Sequence, residues 1–95
     1  MKRGFVYILT NKWNSVFYIG VTSDILRRIG EHRNGVGSVF ASKYNLKKLV
    51  LVEELESVVS AIEREKQLKA GSRASKIRLI EKMNPDWKDL SSMLG

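Results

Sequence analysis

The stretch Phe5-Val6-Tyr7-Ile8-Leu9 is apolar or aromatic at every position. A strand with one wet face alternates apolar and polar residues, so an unbroken run is expected to be buried on both faces. That limits the chain to folds in which this strand lies inside the packed body. After the turn-like segment 10–15, Val16-Phe17-Tyr18-Ile19 reads as a second strand ending at Gly20 and Val21. Two strands separated by six polar-rich residues predict an antiparallel hairpin.

Thr22-Ser23-Asp24 offers an N-cap for a helix running to about Asn34, which Gly35-Val36-Gly37-Ser38 closes. Lys43-Tyr44-Asn45 falls in or near the loop that follows, and Leu49 to Val52 reads as a third strand. Ser57 can cap a helix from Val58 to about Ala70, with Gly71 as its stop. A further helix from Ser72 or Arg73 to about Met83 ends at Asn84-Pro85, and Trp87 and Leu90 are expected to pack back on the body. The order ββαβαα predicts an α/β domain of the α+β type. It has a small three-stranded, mostly antiparallel sheet flanked by about three helices, with residues 1–95 forming one domain.

Composition narrows the chemistry. Seventeen Lys and Arg against ten Asp and Glu leave a net charge of +7, which favours a polyanionic partner. There is no cysteine, so disulfides, thiolate metal sites and a cysteine nucleophile are excluded. One histidine cannot build a His-rich zinc centre. No apolar run approaches the ~18 residues of a membrane span, and no signal-peptide core is seen, so a cytoplasmic protein without a membrane partner is expected.

Helical rotation identifies polar residues that are out of place. In the first helix Ile25, Leu26 and Ile29 define the expected buried face, with Arg27 and Glu31 opposite. Arg28 and His32 lie one turn apart along the edge of that stripe, either as boundary residues or as members of a site. In the second helix Val58, Val59, Ile62 and Leu68 mark the apolar face, and Glu65 falls within it while Glu63 points away. A carboxylate there needs a basic partner, for which Lys69 is at hand, or a metal ion. Tyr7 and Tyr18 sit on the two hairpin strands, where their hydroxyls can converge. Aromatic residues in strands also serve simply as core. Tyr44, between Lys43 and Lys47, suits either a phosphate or base contact or a cap on the core.

Phe5-Val6-Tyr7 and, ten residues later, Tyr18-Ile19-Gly20 resemble the two-part signature of the GIY-YIG nuclease family. The second half matches in residue type. In the first, Phe5 and Val6 replace glycine and isoleucine, and Gly4 stands one place early. Gly20-Val21-Thr22-Ser23-Asp24, Arg27-Arg28 and Glu31-His32 resemble the family's second block. Ala61 to Leu68 resembles its glutamate helix, with the ligand at Glu65, and Asn84-Pro85 its C-terminal block. The likeness spans about residues 4 to 90 and is in particular to short, stand-alone bacterial members. Gly30, inside the first helix, costs up to about 1 kcal/mol relative to alanine and is expected to loosen the segment carrying Arg28.

The resemblance implies a metal-dependent endonuclease that hydrolyses DNA phosphodiester bonds, directed by DNA structure or by a targeting protein in repair or recombination. Its catalytic residues would be Tyr7, Tyr18, Arg28, His32 and Glu65. Glu65 would hold one Mg²⁺, with Mn²⁺ as the alternative ion. Arg28 would bind the scissile phosphate. Tyr7 is the preferred general base, its phenolate favoured by Arg28 or the metal. Tyr18 would orient water or phosphate, and His32 would hydrogen-bond a tyrosine or phosphate or act as proton relay. Arg27, Arg33, Lys43, Tyr44 and Lys47, together with Lys48 and Arg73, would track the DNA backbone. The alternatives are a non-catalytic nucleic-acid-binding module and a protein-interaction domain with Glu65 paired to Lys69 or an arginine.

Overall fold

A computed structural model describes residues 2–94. Strand β1 (Gly4–Thr10) is the centre of a three-stranded sheet of order β2-β1-β3, with β2 (Phe17–Thr22) and β3 (Lys48–Leu55) both antiparallel to it. Helices α1 (Ile25–Arg33), α2 (Val39–Lys43), α3 (Val58–Ala70) and α4 (Arg73–Met83) and the 3₁₀ turn Leu90–Met93 complete the fold. The expected order ββαβαα is present with one addition. Helix α2 is a single short turn capped by Ser38, and only Ala41 within it is buried, so it carries no apolar periodicity.

The unbroken apolar run of β1 is explained by cover on both sides. Val6 and Ile8 pack with Ala61 and Leu68 of α3 and Ile80 of α4. Tyr7 and Leu9 pack with Ile25 and Ile29 of α1 and Ala41 of α2. Alternate side chains of one strand thus serve two cores. The pairing of β1 with β3 shifts between Ile8 and Leu9, where Leu51 and Leu49 are their partners and Val50 is left over. The irregularity lets Val50 and Leu51, though consecutive, both enter the α3/α4 core.

Helices α1 and α3 each bury a narrower stripe than hydrophobicity alone predicts. Leu26, Val59 and Ile62 are exposed, against expectation. The inward face of α3 is Val58, Ala61, Glu65 and Leu68, none of them exposed. The helix lies so close to the sheet that a Cβ on Gly4 would come within 2.8 Å of Ala61 Cβ and Val58 Cα. A small residue therefore faces the strand and larger ones turn outward.

The tail does pack back. Trp87 stacks on Phe17 with ring centroids 6.0 Å apart. Asn84 is buried and brackets three segments. Its Nδ2 donates to Val50 O at 3.1 Å and Lys88 O at 2.9 Å, and its Oδ1 accepts from Lys88 N at 3.1 Å. Arg73, at the start of α4, donates to Ser15 O at 2.6 Å and lies over the Phe17 ring, holding the hairpin.

Candidate active site

The side chain of Tyr7 leaves β1 on the α1 side, and His32 comes down from the last turn of α1 to meet it. The Tyr7 hydroxyl and His32 Nε2 are 2.8 Å apart, and both side chains are buried. Tyr18, on the neighbouring strand, closes the group, with centroids 6.2 Å from Tyr7 and 5.4 Å from His32. The two tyrosines converge as expected. His32 is not a boundary residue; it lies within the core beside them.

Two glycines make room for this cluster. Gly20 is paired with Tyr7 across the hairpin, and a Cβ there would overlap the Tyr7 Cζ and hydroxyl, with Cε1 at 2.9 Å. Gly37 lies against the other ring, where a Cβ would stand 2.7 Å from His32 Nδ1. The Gly37 carbonyl also accepts from Arg28 Nη1 at 3.4 Å. Gly37 thus touches both the imidazole and the guanidinium. The sequence places it only in a loop, and no spacing rule singles it out.

Arg28 is partly open, its side chain 35% exposed. It also pairs through Nε with Glu31 at 3.4 Å, and Arg27 reaches the same carboxylate at 3.3 Å. An open polar cleft of about 260 Å³ lies beside it, walled by Thr22, Asp24 and Glu31. The guanidinium therefore retains donors directed toward solvent.

The protonation states follow from burial. Burial, and after it the neighbouring Tyr18, pushes the Tyr7 phenol well above its ordinary range, while Arg28 pulls the other way without prevailing. A resident phenolate on Tyr7 is thus disfavoured in this arrangement. Burial and then Arg28 lower the His32 pKa from its ordinary 6.5, and Glu31 opposes them. The imidazole is neutral at pH 7, and Nδ1 is buried with no hydrogen-bond partner. With a neutral ring, Tyr7 can donate its proton to Nε2 when Nδ1 carries the ring hydrogen.

Glu65 belongs to the other layer. It lies on the inward face of α3, its side chain 21% exposed, with Lys69 Nζ 3.4 Å from Oε2. Lys69 is itself 57% exposed, so this i,i+4 pair is a weak, screened one. Among the described residues no hydrogen bond or ion pair joins Glu65 to Tyr7, Tyr18, Arg28 or His32. No group of three or more His, Asp or Glu able to hold a metal occurs among them either. One half-buried, lightly partnered carboxylate nonetheless fits an ion such as Mg²⁺, which keeps most of its waters and takes oxygen donors. The neighbouring Arg64 is engaged elsewhere. It grips Glu53 with two bonds of 2.7 and 3.1 Å, locking α3 to β3.

The expected DNA-contacting residues fall into two groups. Arg27, Lys43, Tyr44 and Lys47 are exposed. Arg33 is engaged with the tail through Asp89, at 3.6 Å, and the Ser91 hydroxyl. No helix among the described residues is long and apolar enough to cross a membrane.

The sequence pattern of the family described as the GIY-YIG catalytic domain matches residues 3–78. A UPF0213 protein of Syntrophus aciditrophicus is 37% identical over 87 residues, covering 90% of this chain and 98% of that protein. A second, from Natronomonas pharaonis, is 34% identical over 76 residues, with 80% and 88% covered. A third, from Staphylococcus saprophyticus, is 34% identical over 80 residues, with 84% and 96% covered. These three relatives consist of little besides the matched region. No solved structure matches the chain.

Proposed function

The chain belongs to the GIY-YIG catalytic-domain family, and from that premise we propose that it is an endonuclease hydrolysing phosphodiester bonds of DNA. The observation that carries the reading is the buried Tyr7–His32 hydrogen bond beside Arg28. A nucleic-acid-binding module needs no such pair.

The pair answers the main chemical difficulty. A tyrosine with an unperturbed pKa near ~10 is a poor base at neutral pH, and burial makes Tyr7 poorer still. A relay avoids a free phenolate. As the Tyr7 oxygen takes a proton from the attacking water, its own proton passes to Nε2 of neutral His32. Tyr18, at the open side of the cluster, orients the water or the phosphate. Arg28 binds the phosphoryl oxygens and stabilises the charge that grows on them. Its bond to Glu31 is exposed enough to be exchanged for a phosphate.

Nucleases of this family generally depend on a divalent metal, and Glu65 is the residue that would hold it, as Mg²⁺ or, alternatively, Mn²⁺. Such an ion supplies Lewis acidity and steadies the leaving oxygen. The positive charge of the chain, including Arg27, Lys43 and Lys47, supports backbone binding without sequence readout. Selection of the target would then come from DNA structure or from a targeting protein, as in repair or recombination. The main rival is a non-catalytic nucleic-acid-binding module on the same fold; the Glu65–Lys69 ion pair is instead the feature a protein-interaction domain would show.

Cleavage of labelled single-stranded, duplex, flap, splayed-arm and four-way-junction DNA, with Mg²⁺, Mn²⁺ or chelator, separates the two. Metal-dependent cutting that disappears in Glu65→Ala and Arg28→Ala is the expected result. Salt-dependent binding with no cutting of any substrate, unchanged in Glu65→Ala, would establish the rival.

A further inference from the structure

A second concavity lies away from the catalytic cluster, at the far end of β1. It is an open cleft of about 410 Å³ between the hairpin turn and the segment joining α2 to β3, and its lining includes Trp13, Tyr44, Lys12, Lys47 and Lys48. We propose that this cleft binds an unpaired nucleotide of the nucleic-acid strand, its base stacked on Trp13 or Tyr44 and its phosphates held by the lysines. The inference rests on the proposed function only in taking nucleic acid as the ligand.

Three observations carry it. First, Trp13 is 73% exposed, although indole is among the costliest side chains to leave in water. It packs in neither core cluster, and the group over its ring is Lys12 Nζ, 4.8 Å from the centroid. A structural tryptophan in this chain looks different: Trp87 is stacked against Phe17. Second, the charge is of one kind where it is free. Lys12 and Lys47 are exposed and Lys43 lies 5.5 Å from the Tyr44 ring centroid. The single carboxylate in the lining, Asp89, is already occupied: Oδ1 accepts from Leu49 N at 3.2 Å and from Ser91 Oγ at 2.7 Å, and Oδ2 faces Arg33 at 3.6 Å. Third, the cleft is joined to the catalytic group by aromatic rings. Tyr18 stacks on Phe40 with centroids 6.5 Å apart, and Phe40 meets Tyr44 at 4.8 Å.

Exposed aromatic faces interleaved with lysines form the surface that single strands stack upon. A base inside a duplex has both faces covered by its neighbours and offers only its edges to a protein. An unpaired base offers a face. The row from Tyr44 through Phe40 to Tyr18 then leads such a strand toward Arg28 and Tyr7, so cutting would fall near a junction between paired and unpaired nucleotides.

The test uses the full chain in chelator, with tryptophan fluorescence followed during titration by a short oligothymidylate and by a blunt-ended duplex of two complementary strands. Oligothymidylate should quench the emission; the duplex should not. The quench should vanish in Trp13→Ala, because Trp87 is packed away. Trp13→Ala and Tyr44→Ala should each weaken oligothymidylate binding by about tenfold or more, with duplex binding unchanged in Trp13→Ala. Equal affinity of the parent and both variants for oligothymidylate, or equal quenching by the duplex, would overturn the assignment. Cleavage in Mg²⁺ is read separately. Cutting without any oligothymidylate quench removes the cleft and leaves the nuclease, whereas the quench in a protein that cuts nothing leaves the cleft and removes the nuclease.

Discussion

Replacing Gly20 with alanine tests the geometry of the cluster without removing a functional group. The added methyl would overlap the Tyr7 Cζ and hydroxyl and crowd Cε1. The ring cannot swing aside freely, because His32 holds its hydroxyl at 2.8 Å and Tyr18 flanks it. Overpacking of a tight core costs about 1–3 kcal/mol, and this site belongs at the upper end. Against it stands a gain of roughly 0.4–1 kcal/mol from the stiffer unfolded chain. The net loss is about 2 kcal/mol. For a domain of this size that corresponds to a fall in melting temperature of roughly 8–16 °C. Urea unfolding of the parent, Gly20→Ala, Tyr7→Ala and the double variant measures it. The methyl should cost about 2 kcal/mol beside the tyrosine and close to nothing once the ring is gone. A Gly20→Ala protein within ~0.5 kcal/mol of its parent would refute the claim that the ring lies against this strand.

Other perturbations have definite outcomes. Gly30→Ala should stabilise the protein by about 0.5–1 kcal/mol in the same unfolding assay, since nothing lies within 4 Å of the added Cβ and the position is helical. Asn84→Ala should cost about 2–4 kcal/mol, because it leaves Val50 O and two Lys88 backbone groups without their partner. His32 is the one histidine, so its NMR titration is unambiguous and should lie below pH 6.5. Its folded pKa is depressed, so its contribution to stability is full above the unfolded value and is lost as pH falls from 6.5 through the folded pKa. Urea midpoints between about pH 7 and 5 should show that loss in the parent and a smaller one in His32→Gln. Glu65→Gln should abolish metal-dependent cleavage while shifting stability by less than about 1 kcal/mol, since its ion pair with Lys69 is exposed on the lysine side; a larger destabilisation would make Glu65 a structural residue.

Much of this arrangement is legible in the sequence, for identifiable reasons. The unbroken run Phe5 to Leu9 announces a strand covered on both faces, and β1 is that strand. Helical rotation puts Glu65 on the inward side of α3 and sets Arg28 and His32 one turn apart, and both placements hold. Rotation fails at Leu26, Val59 and Ile62 because it equates apolar with buried. Close approach of helix and sheet selects small residues such as Ala61 and excludes larger neighbours. Helix α2 gives no signal because its exposed Val39 and Phe40 break any inward pattern. The state of Tyr7 is not legible either: whether burial or Arg28 governs the phenol is a matter of distance, and burial prevails. Gly37 is hidden for a related reason, as a glycine set against the His32 ring has the same sequence surroundings as any loop glycine.

The near contact of Gly4 with α3 bears on how errors propagate through the molecule. Tyr7 packs with α1 on one side of β1, and the helix that carries Glu65, α3, packs through Ala61 and Leu68 on the other. Both sides are referenced to β1. Gly4 fixes the start of α3 within van der Waals reach of the strand, and Tyr7, three residues on, fixes the histidine. Strand β1, of seven residues, is therefore the reference the two halves share. One residue inserted between Gly4 and Tyr7 would reverse which face each side chain meets and separate the halves at a stroke.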